Sequence, residues 1–373
     1  MVAFMAVSIT IIRGSEMAYL LLDPSFILVL AIIMINGKLL FHLSNNVIAI
    51  IYILMVLYVN EVSLSRFPNS FKMEDSLRGK TYIVTGANSG TGYAVVQALL
   101  SENATVIMAC RNINKCLEAA STLSSPFGIQ TAELDLSSLN SVKEFASEFK
   151  TRKIDGVVNN AGFATGSSVP PTKELLEPAL GAMHLGHYLL TKLLVEERNN
   201  QTFRIVNVAS AMHLLCFWFN CIDRLEDRFK EPSDILAYER AKFANILHAF
   251  ELSKQYKNVT AYSINLGLVA TNITRLSKVL GNIQRDAVLG AYPIVYALKV
   301  NAPREYNGFV VDTTFGLASP EQYNRILSGA FMPVAWILSL MGSDIPRLSK
   351  QYTVADLNRD AETLWKVSEK LIP

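Results

Sequence analysis

Three residues in this sequence could perform acid–base chemistry together: Ser210, Tyr238 and Lys242. Tyr238 and Lys242 are four residues apart in "YERAK", so they share one face of a helix. An ammonium group beside a tyrosine stabilises the phenolate and brings its pKa, ordinarily about 10, closer to neutrality. Ser210 ends the run "RIVNVAS", where its hydroxyl can hold a substrate oxygen while Tyr238 gives or takes a proton. The pattern predicts proton transfer at a hydroxyl or carbonyl oxygen, although a tyrosine and a lysine at this spacing are also a common accident.

A second candidate group is the pair His184 and His187 in "AMHLGHYLLTKLL", three residues apart on an apolar helix. This spacing allows two imidazoles to share a metal ion. No acidic residue or cysteine that could complete such a site is close in the sequence. We therefore expect packing and hydrogen-bonding residues and no metal, with Gly186 allowing the helix to approach its neighbour closely.

The elements that must position these residues begin at Lys80. From there, short β-rich runs alternate with segments of helical period, each bounded by turn residues. Such alternation predicts an α/β fold, a doubly wound parallel sheet of about seven strands with helices on both faces. The predicted strands are "TYIVT", "ATVIMAC", "IQTAELD", "DGVVNNA", "FRIVNVAS", "VTAYSIN" and "GFVVD".

Ligands of such sheets bind beyond the carboxyl ends of the strands, and the first predicted strand runs there into "TGANSGTG" at 85–92. Its three glycines permit a sharp turn, close approach to a pyrophosphate and close packing of the following helix. The N-terminus of that helix offers unpaired N–H groups to phosphates. An ordinary glycine turn is the alternative to the dinucleotide site that we predict. The residues assigned to the site are Gly86, Asn88, Ser89, Gly90, Thr91 and Gly92.

The end of the second predicted strand, "MACRN", bears on the choice of dinucleotide. Arg111 stands where an NAD site usually places an acidic residue for the ribose hydroxyls. A guanidinium group there can pair with a 2′-phosphate, which favours NADP(H) over NAD(H). The alternative is a solvated surface arginine.

The composition limits the classes of partner. A formal charge of +2 over 373 residues argues against a nucleic-acid-binding protein. The four cysteines are Cys110, Cys116, Cys216 and Cys221, with no CxxC pair among them, and we expect reduced, structural thiols. Hydrophobic residues make up 51% of the chain, and the excess lies mainly near the N-terminus.

Two apolar runs, at 17–35 and 47–59, predict a membrane-anchoring region at 1–64, as one span or as a hairpin. No basic region precedes the first run, so we expect an uncleaved anchor. Basic residues follow the second run at Arg66, Lys72, Arg78 and Lys80, which places the main domain on the cytosolic side. A buried hydrophobic subdomain is the alternative. The predicted organisation is completed by a linker at 65–79, the α/β domain at 80–320, and a C-terminal extension with a final helix at 321–373.

Taken in order, "TGANSGTG", "LDLSS", "NNAG", "RIVNVAS" and "YERAK" resemble the motifs of the short-chain dehydrogenase/reductase superfamily. The segments "ACRN", "HLGHYLLTKLL", "AKFANIL" and "LWKVSEKL" are most similar to its retinol-dehydrogenase-like branch, which includes the oxidoreductase domain of the WW-domain oxidoreductase; the chain shows no WW domain. The resemblance implies hydride transfer to or from a nicotinamide cofactor, with Ser210, Tyr238 and Lys242 as catalytic residues.

The resemblance also implies cofactor roles for individual residues. Asp135 would contact the adenine, Asn160 would line the cofactor cleft, and Lys242 would also hold the nicotinamide ribose. Val269 and Thr271 in "INLGLVATNI" would hold the carboxamide and a phosphate. In that segment Leu266 replaces the usual proline, which puts the shape of the loop in doubt.

One departure from the family lies beside the histidine pair. The family usually has an asparagine there that supports a water linking the active-site lysine to solvent, and this chain has Met183. A thioether is only a weak hydrogen-bond acceptor. We expect an impaired or rerouted proton relay, unless a water held by the backbone carbonyl survives the change.

Two functions are compatible with the sequence. The first is a membrane-anchored, NADP(H)-dependent oxidoreductase of a lipophilic alcohol or carbonyl such as a retinoid, steroid or fatty aldehyde. The apolar runs "LLCFWFN" and "AFMPVAWILSL" favour it, since they could line a lipophilic pocket or contact membrane lipid, although core packing explains each run equally well. The second is a nucleotide-binding scaffold with little catalysis. For either, we expect the endoplasmic reticulum or a lipid droplet as the location, and a homodimer is possible.

Overall fold

The computed structural model describes residues 72–123, 128–164, 169–198, 201–214, 216, 221–234, 236–266, 269, 286–301, 309–312, 316–317 and 353–372. All of these residues lie in the second of the two units into which the chain divides, Arg66–Pro373. The predicted anchor at 1–64 and most of the predicted extension, 321–352, fall outside them. Among the helices that are described, none has both the length and the apolar character needed to cross a bilayer.

The described unit is built on a sheet of eight strands, seven of them parallel. The strands of the described residues are β1 (Lys72–Met73), β2 (Thr81–Thr85), β3 (Thr105–Cys110), β4 (Ile129–Glu133), β5 (Gly156–Asn159), β6 (Phe203–Val208), β7 (Val259–Asn265), β8 (Val300–Asn301), β9 (Phe309–Asp312) and β10 (Gly316–Leu317). In the main sheet the order is β4, β3, β2, β5, β6, β7, β9, β10, and only the short β10 is antiparallel to its neighbour. The parallel strands coincide with the predicted runs, which confirms the predicted parallel sheet.

Helices cover both faces of this sheet. The helices are α1 (Gly90–Ser101), α2 (Ile113–Ser121), α3 (Leu139–Glu148), α4 (His187–Glu196), α5 (Leu225–Lys230), α6 (Ala237–Gln255), α7 (Ala287–Lys299) and α8 (Val354–Leu371). A π-helical segment, Ala179–Gly186, runs directly into α4, and a short 3₁₀ helix covers Ala211–Leu214. Helix α7 packs on α1, whereas α6 packs on the π-helical segment and on α8, and both α6 and α7 contact β6 and β7. The arrangement is the doubly wound one that the sequence predicts.

The strands are buried because helices cover both of their faces. In β5 all four residues are buried, and in β2 and β3 only the first residue is partly accessible. This explains why these strands appear in the sequence as continuous apolar runs and not as alternating ones. Polar caps fix where several helices begin: Asn112, Ser138, Asp286 and Thr353 each accept a hydrogen bond from a backbone N–H in the first turn of α2, α3, α7 and α8.

The domain begins earlier than the sequence predicts. Residues 72–79 were assigned to the linker, but β1 pairs antiparallel with β8, with Lys72 opposite Asn301. Leu77, in the same segment, is fully buried in the main core. A strand of only two residues carries no periodic signal, so composition alone could not separate it from a linker.

The four cysteines form two disulfides, whereas the sequence predicted reduced thiols. Cys110 is bonded to Cys116, and Cys216 to Cys221. Helix α2 returns toward the end of β3 and brings the first pair of Cα atoms within 6.0 Å, while those of the second pair are 4.7 Å apart. Both distances lie in the usual range for a disulfide. The spacing in the sequence gave no sign of this, because it depends on where the intervening turn sends the chain.

Candidate active site

The predicted site residues gather where the strand order of the sheet reverses. Strands β2 and β5 are neighbours there, and Val84 pairs with Val158, so both strands end at the same level. Ligands of open α/β sheets bind in the crevice at this switch point. The predicted residues at 86–92 form the loop after β2 and the first turn of α1, and the loop after β5 contains Asn160.

The glycines of the first loop form a cradle that only glycine can build. Gly86 and Gly90 have φ angles of 65° and 54°, in the left-handed region. A Cβ atom on Gly92 would lie 2.3 Å from the carbonyl oxygen of Gly86 and 2.6 Å from Asn160 Nδ2. Helix α1 starts at Gly90 with no acidic residue in its first turn and with no capping bond from the side chain of Ser89. This loop fits a dinucleotide pyrophosphate, since it leaves the first N–H groups of α1 without a side-chain cap.

Thr85 joins the two loops, and the sequence did not single it out. Its side chain is fully buried, and its Oγ1 accepts hydrogen bonds from the backbone N–H groups of Asn160 (3.0 Å) and Ala161 (2.9 Å). The same Oγ1 lies 2.9 Å from Nε2 of His187. The Asn160 side chain donates to the backbone carbonyl of Thr85 at 2.9 Å, which holds it against the cradle.

Two further predicted cofactor residues lie at the same edge of the sheet. Arg111 is exposed and directly follows β3. Asp135 lies in the loop after β4, where its Oδ1 accepts hydrogen bonds from the backbone N–H of Ser137 (3.0 Å) and from its hydroxyl (2.6 Å). This fixes the turn and leaves the other carboxylate oxygen available. The contact of Asp135 with adenine stays a prediction.

Ser210, Tyr238 and Lys242 come together beside this cradle. Ser210 follows β6 and lies close enough to the hydroxyl of Tyr238, on the first turn of α6, to lower the pKa of that tyrosine. One turn later, Lys242 Nζ lies 5.6 Å from the centre of the Tyr238 ring and donates a hydrogen bond of 2.9 Å to the carbonyl of Val208, in β6. The Ser210, Tyr238 and Lys242 side chains thus converge between the C-terminal end of β6 and the start of α6.

Burial dominates the proton affinities of this group. It raises the pKa of Tyr238 to about 12, with the Ser210 hydrogen bond acting in the opposite direction and the Glu239 carboxylate adding to the rise. The predicted lowering of that pKa by the ammonium is not seen: desolvation is the largest influence on the Tyr238 pKa, and Ser210 is the group that acts against it. Burial also lowers the pKa of Lys242 to about 8. At neutral pH, Tyr238 is a protonated donor and Lys242 is mostly charged.

Met183 lies in the π-helical segment and contacts the same group. Its side chain packs with Ala237, Ala241 and Tyr238. Its Sδ and Lys242 Nζ flank the same point above Gly162, at 3.3 and 3.4 Å from where a Cβ would stand. The Met183 carbonyl accepts a hydrogen bond from His187 Nδ1 at 2.9 Å. π-helical distortions are frequent at functional sites, and this one, eight residues long, places Met183 beside the predicted catalytic lysine.

The histidine pair is held by protein groups. Both ring nitrogens of His187 are engaged, as described above. His184 Nε2 lies 2.9 Å from Ser368 Oγ, whose own proton goes to the carbonyl of Leu364, so Nε2 must be the donor. His184 thereby fastens α8 to the helix of the active site. These contacts agree with the prediction that the pair packs and hydrogen-bonds.

Two buried residues near the site were not predicted from the sequence. His213 lies three residues after Ser210, is buried against Phe243, and donates from Nδ1 to the carbonyl of Ser210. Arg240, between the predicted catalytic tyrosine and lysine, is buried and bonds to Asp234 (2.9 Å) and to the carbonyl of Cys221 (3.1 Å). The charge of Arg240 inside "YERAK" could have indicated an anchoring role, because a helix that carries two catalytic groups must itself be held in place.

The loop after β7 is described only in part. Leu266 and Val269 are buried, and Val269 contacts Gly290 in α7. Thr271, predicted to hold a phosphate, lies outside the described residues, as do 217–220 of the apolar run "LLCFWFN". The roles of Val269 and Thr271 stay predictions.

Comparison with known proteins connects this geometry with one family. Residues 80–217 match the short chain dehydrogenase family. Retinol dehydrogenase 11 of Mus musculus is 35% identical over 213 residues, which are 55% of this chain and 66% of the relative. Retinol dehydrogenase 12 of Mus musculus is 32% identical over 238 residues, 61% of this chain and 74% of the relative. The WW domain-containing oxidoreductase of Gallus gallus is 34% identical over 204 residues, 51% of this chain and 49% of the relative. The chain covers about two thirds (66%) of the length of the first of these retinol dehydrogenases.

Solved structures share the fold. An uncharacterised protein from Mycobacterium paratuberculosis has a TM-score of 0.57 and 26% identity, with 82% of this chain and 97% of that chain covered. The L-sorbose reductase of Gluconobacter frateurii, solved with NADPH and L-sorbose, has a TM-score of 0.51 and 18% identity, with 65% and 97% covered. The second of these supports the fold alone.

Proposed function

Because the chain belongs to the short-chain dehydrogenase/reductase family, as an oxidoreductase related to the retinol dehydrogenases that acts on CH–OH groups with NAD(P), we propose that it interconverts a lipophilic alcohol and its carbonyl. The observation that carries the proposal is that Ser210 lies beside the hydroxyl of Tyr238, with Lys242 one turn behind, at the edge that holds the glycine cradle. The proposed substrate is a retinoid, a steroid or a fatty aldehyde, and the names of the retinol dehydrogenases support the retinoid.

The proposed chemistry divides between the chain and its cofactor. The cradle at 86–92 and Asn160 would hold the dinucleotide, which supplies or accepts the hydride when bound. In the reductive direction Tyr238 gives its phenolic proton to the carbonyl oxygen, and Ser210 donates a hydrogen bond to the same oxygen. In the oxidative direction the phenolate form of Tyr238 takes the hydroxyl proton. The Lys242 ammonium would stabilise this phenolate, which is also the form left when Tyr238 gives its proton in the reductive direction.

The proposal includes a preference for NADP(H). Arg111 is exposed at the end of β3 and could pair with a 2′-phosphate as a fork of two hydrogen bonds. It also includes membrane attachment through the apolar runs at 17–35 and 47–59, with the dehydrogenase domain in the cytosol. A lipophilic substrate would reach such an enzyme from the bilayer of the endoplasmic reticulum or the surface of a lipid droplet.

Purified full-length protein in detergent tests the proposal. It is given NADPH with a retinoid aldehyde, a steroid ketone or a fatty aldehyde, and the loss of NADPH is followed together with the alcohol product. We expect turnover of at least one substrate, lowered about 10²- to 10⁴-fold by Tyr238→Phe. Tyr256→Phe, at the end of the same helix, serves as the matched control and should retain turnover. Turnover that survives Tyr238→Phe would refute the mechanism.

A nucleotide-binding scaffold is the second candidate, and Met183 is the observation that favours it. A thioether stands beside Lys242 where the family usually has an amide, and the Met183 carbonyl already accepts a hydrogen bond from His187. The same preparation separates the two candidates. NADPH that binds, as its fluorescence reports, without any substrate being turned over would favour the scaffold.

A further inference from the structure

We propose that His187 is a positioning residue that couples the cofactor cradle to the acid–base residues through its two ring nitrogens. Nε2 meets Thr85 Oγ1 at 2.9 Å, and Nδ1 meets the carbonyl oxygen of Met183 at 2.9 Å. The inference rests on the proposed function, because one half of the coupling is read from turnover.

The hydrogen-bond partners determine the tautomer of this ring. A carbonyl oxygen can only accept, so Nδ1 carries the proton and donates it to Met183. In the neutral ring Nε2 is then an acceptor, and the Thr85 hydroxyl must be its donor. The N–H groups of Asn160 and Ala161 fill the two acceptor positions of Thr85 Oγ1, which leaves its single proton to donate. Two acceptors face that proton, and His187 Nε2 at 2.9 Å is closer than the carbonyl oxygen of Val158 at 3.3 Å.

On the cradle side, His187 sets the direction of the Thr85 hydroxyl. That hydroxyl fixes the start of the loop after β5, and the side chain of Asn160 in this loop lies against Gly92. The contact is close, because a Cβ on Gly92 would come within 2.6 Å of Asn160 Nδ2. A rotation of the Thr85 hydroxyl would therefore move the floor on which a dinucleotide rests.

On the other side, His187 holds the backbone of the π-helical segment. The Met183 side chain that follows from this backbone packs against Ala241 and Tyr238. Its Sδ also fills the space beside Lys242 Nζ above Gly162. Displacement of the Met183 carbonyl would therefore shift the wall behind the tyrosine and the lysine, and it would meet the loop after β5 at Gly162, two residues beyond Asn160.

The surroundings keep the ring neutral. The titratable groups that face it are Lys242 on α6, His248 on the same helix, and His184 one turn away. Burial lowers the pKa of His187 to about 4, and the positive charge of Lys242 acts in the same direction. The two hydrogen bonds therefore persist throughout the pH range in which the enzyme would work.

Two substitutions separate the two hydrogen bonds. His187→Asn keeps an amide donor near the position of Nδ1, toward Met183, and loses the acceptor toward Thr85. His187→Gln reaches the position of Nε2 with its amide oxygen and loses the donor toward Met183. Ser368→Ala is the control, because it removes the partner of the neighbouring His184 and leaves the proposed coupling intact.

The full-length protein is measured in detergent for NADPH affinity by fluorescence and for kcat. For His187→Asn we expect the Kd for NADPH to rise about tenfold with kcat nearly unchanged. For His187→Gln we expect kcat to fall about tenfold with the Kd nearly unchanged. Ser368→Ala should lower the melting temperature and leave both constants as they were.

The inference is overturned if the Kd for NADPH and kcat change in the same way in both variants, in proportion to the loss of melting temperature. It is also overturned if neither variant changes either constant. A tautomer measurement on the unsubstituted protein does not depend on the variants folding: ¹⁵N NMR of His187 should show a protonated Nδ1, and a protonated Nε2 would overturn the inference. If the unsubstituted protein turns over no substrate, the proposed function fails, while the affinity measurement and the tautomer still test the Thr85 half of the coupling.

Discussion

Gly92→Ala is the sharpest test of the cofactor cradle, because the structure leaves no space for one added carbon. The new Cβ would stand 2.3 Å from the Gly86 carbonyl oxygen, which is 0.7 Å inside the 3.0 Å that real Cβ contacts respect. A second contact, at 2.6 Å, is with Asn160 Nδ2. The Gly86 oxygen is a backbone atom in a turn with a positive φ, so it cannot move aside as a flexible side chain would.

Relief of this clash requires the Gly86 turn and the Asn160 side chain to separate. Overpacking of this kind costs about 1–3 kcal/mol. Since the dinucleotide rests on the same turn, we expect the Kd for NADPH to rise by at least about tenfold, together with a lower melting temperature. Affinity is measured by NADPH fluorescence and stability by thermal unfolding, both on the full-length protein.

Gly128→Ala is the matched control for this prediction. It lies just before β4, and its added Cβ would meet only Thr105 Cγ2, at an ordinary 3.9 Å. We expect both the affinity and the melting temperature to stay near their original values. The reasoning would be refuted by a Gly92→Ala protein that binds NADPH as tightly as the original and melts at the same temperature.

Three further predictions concern the chemistry of the site. Arg111→Ala should raise the Kd for NADPH about tenfold to a hundredfold and leave the Kd for NADH unchanged, since only the 2′-phosphate loses a charged hydrogen-bond partner; equal losses for both cofactors would contradict the assigned role. Met183→Asn should increase turnover about tenfold if the missing amide impairs the proton relay, and an unchanged rate would remove that idea. Carbonyl reduction should be level below about pH 8 and decline above it, because Lys242, with a pKa of about 8, loses its charge there while Tyr238, with a pKa of about 12, keeps its proton; a rate that rises through pH 8 would count against this assignment.

The sheet was predictable from the sequence because its signal is local. Each parallel strand is an apolar run bounded by turn residues, and the run is continuous because helices cover both faces. The positions of the glycines, of Ser210 and of the pair Tyr238 and Lys242 follow from spacing within a single strand end or helix turn. Their meeting at one edge follows from the rule that parallel strands end together.

The contacts that complete the site were not predictable, because they join distant segments. Thr85 meets His187 across 102 positions of the chain and Asn160 across 75. Neither contact leaves a periodic pattern, and a threonine at the end of a strand looks like any other β-branched residue there. The predicted fall in the Tyr238 pKa was wrong for a related reason. Helical spacing reveals the neighbouring ammonium group, whereas the desolvation that raises this pKa comes from the whole surrounding structure.

The central seam between β2 and β5 has a consequence for folding. Its pairing of Tyr82 with Gly156 closes a long loop that contains two other strands of the sheet, so the seam is costly to form and depends on the collapse of the rest. Both halves of the cofactor cradle are attached to this seam, so a partly folded chain has no cradle to offer. A dinucleotide would therefore bind only the completed fold, and at a hundred times its Kd it would stabilise that fold by about 2.7 kcal/mol. The supply of cofactor in the cell would then influence how long a marginally stable variant of this enzyme survives, apart from how fast it works.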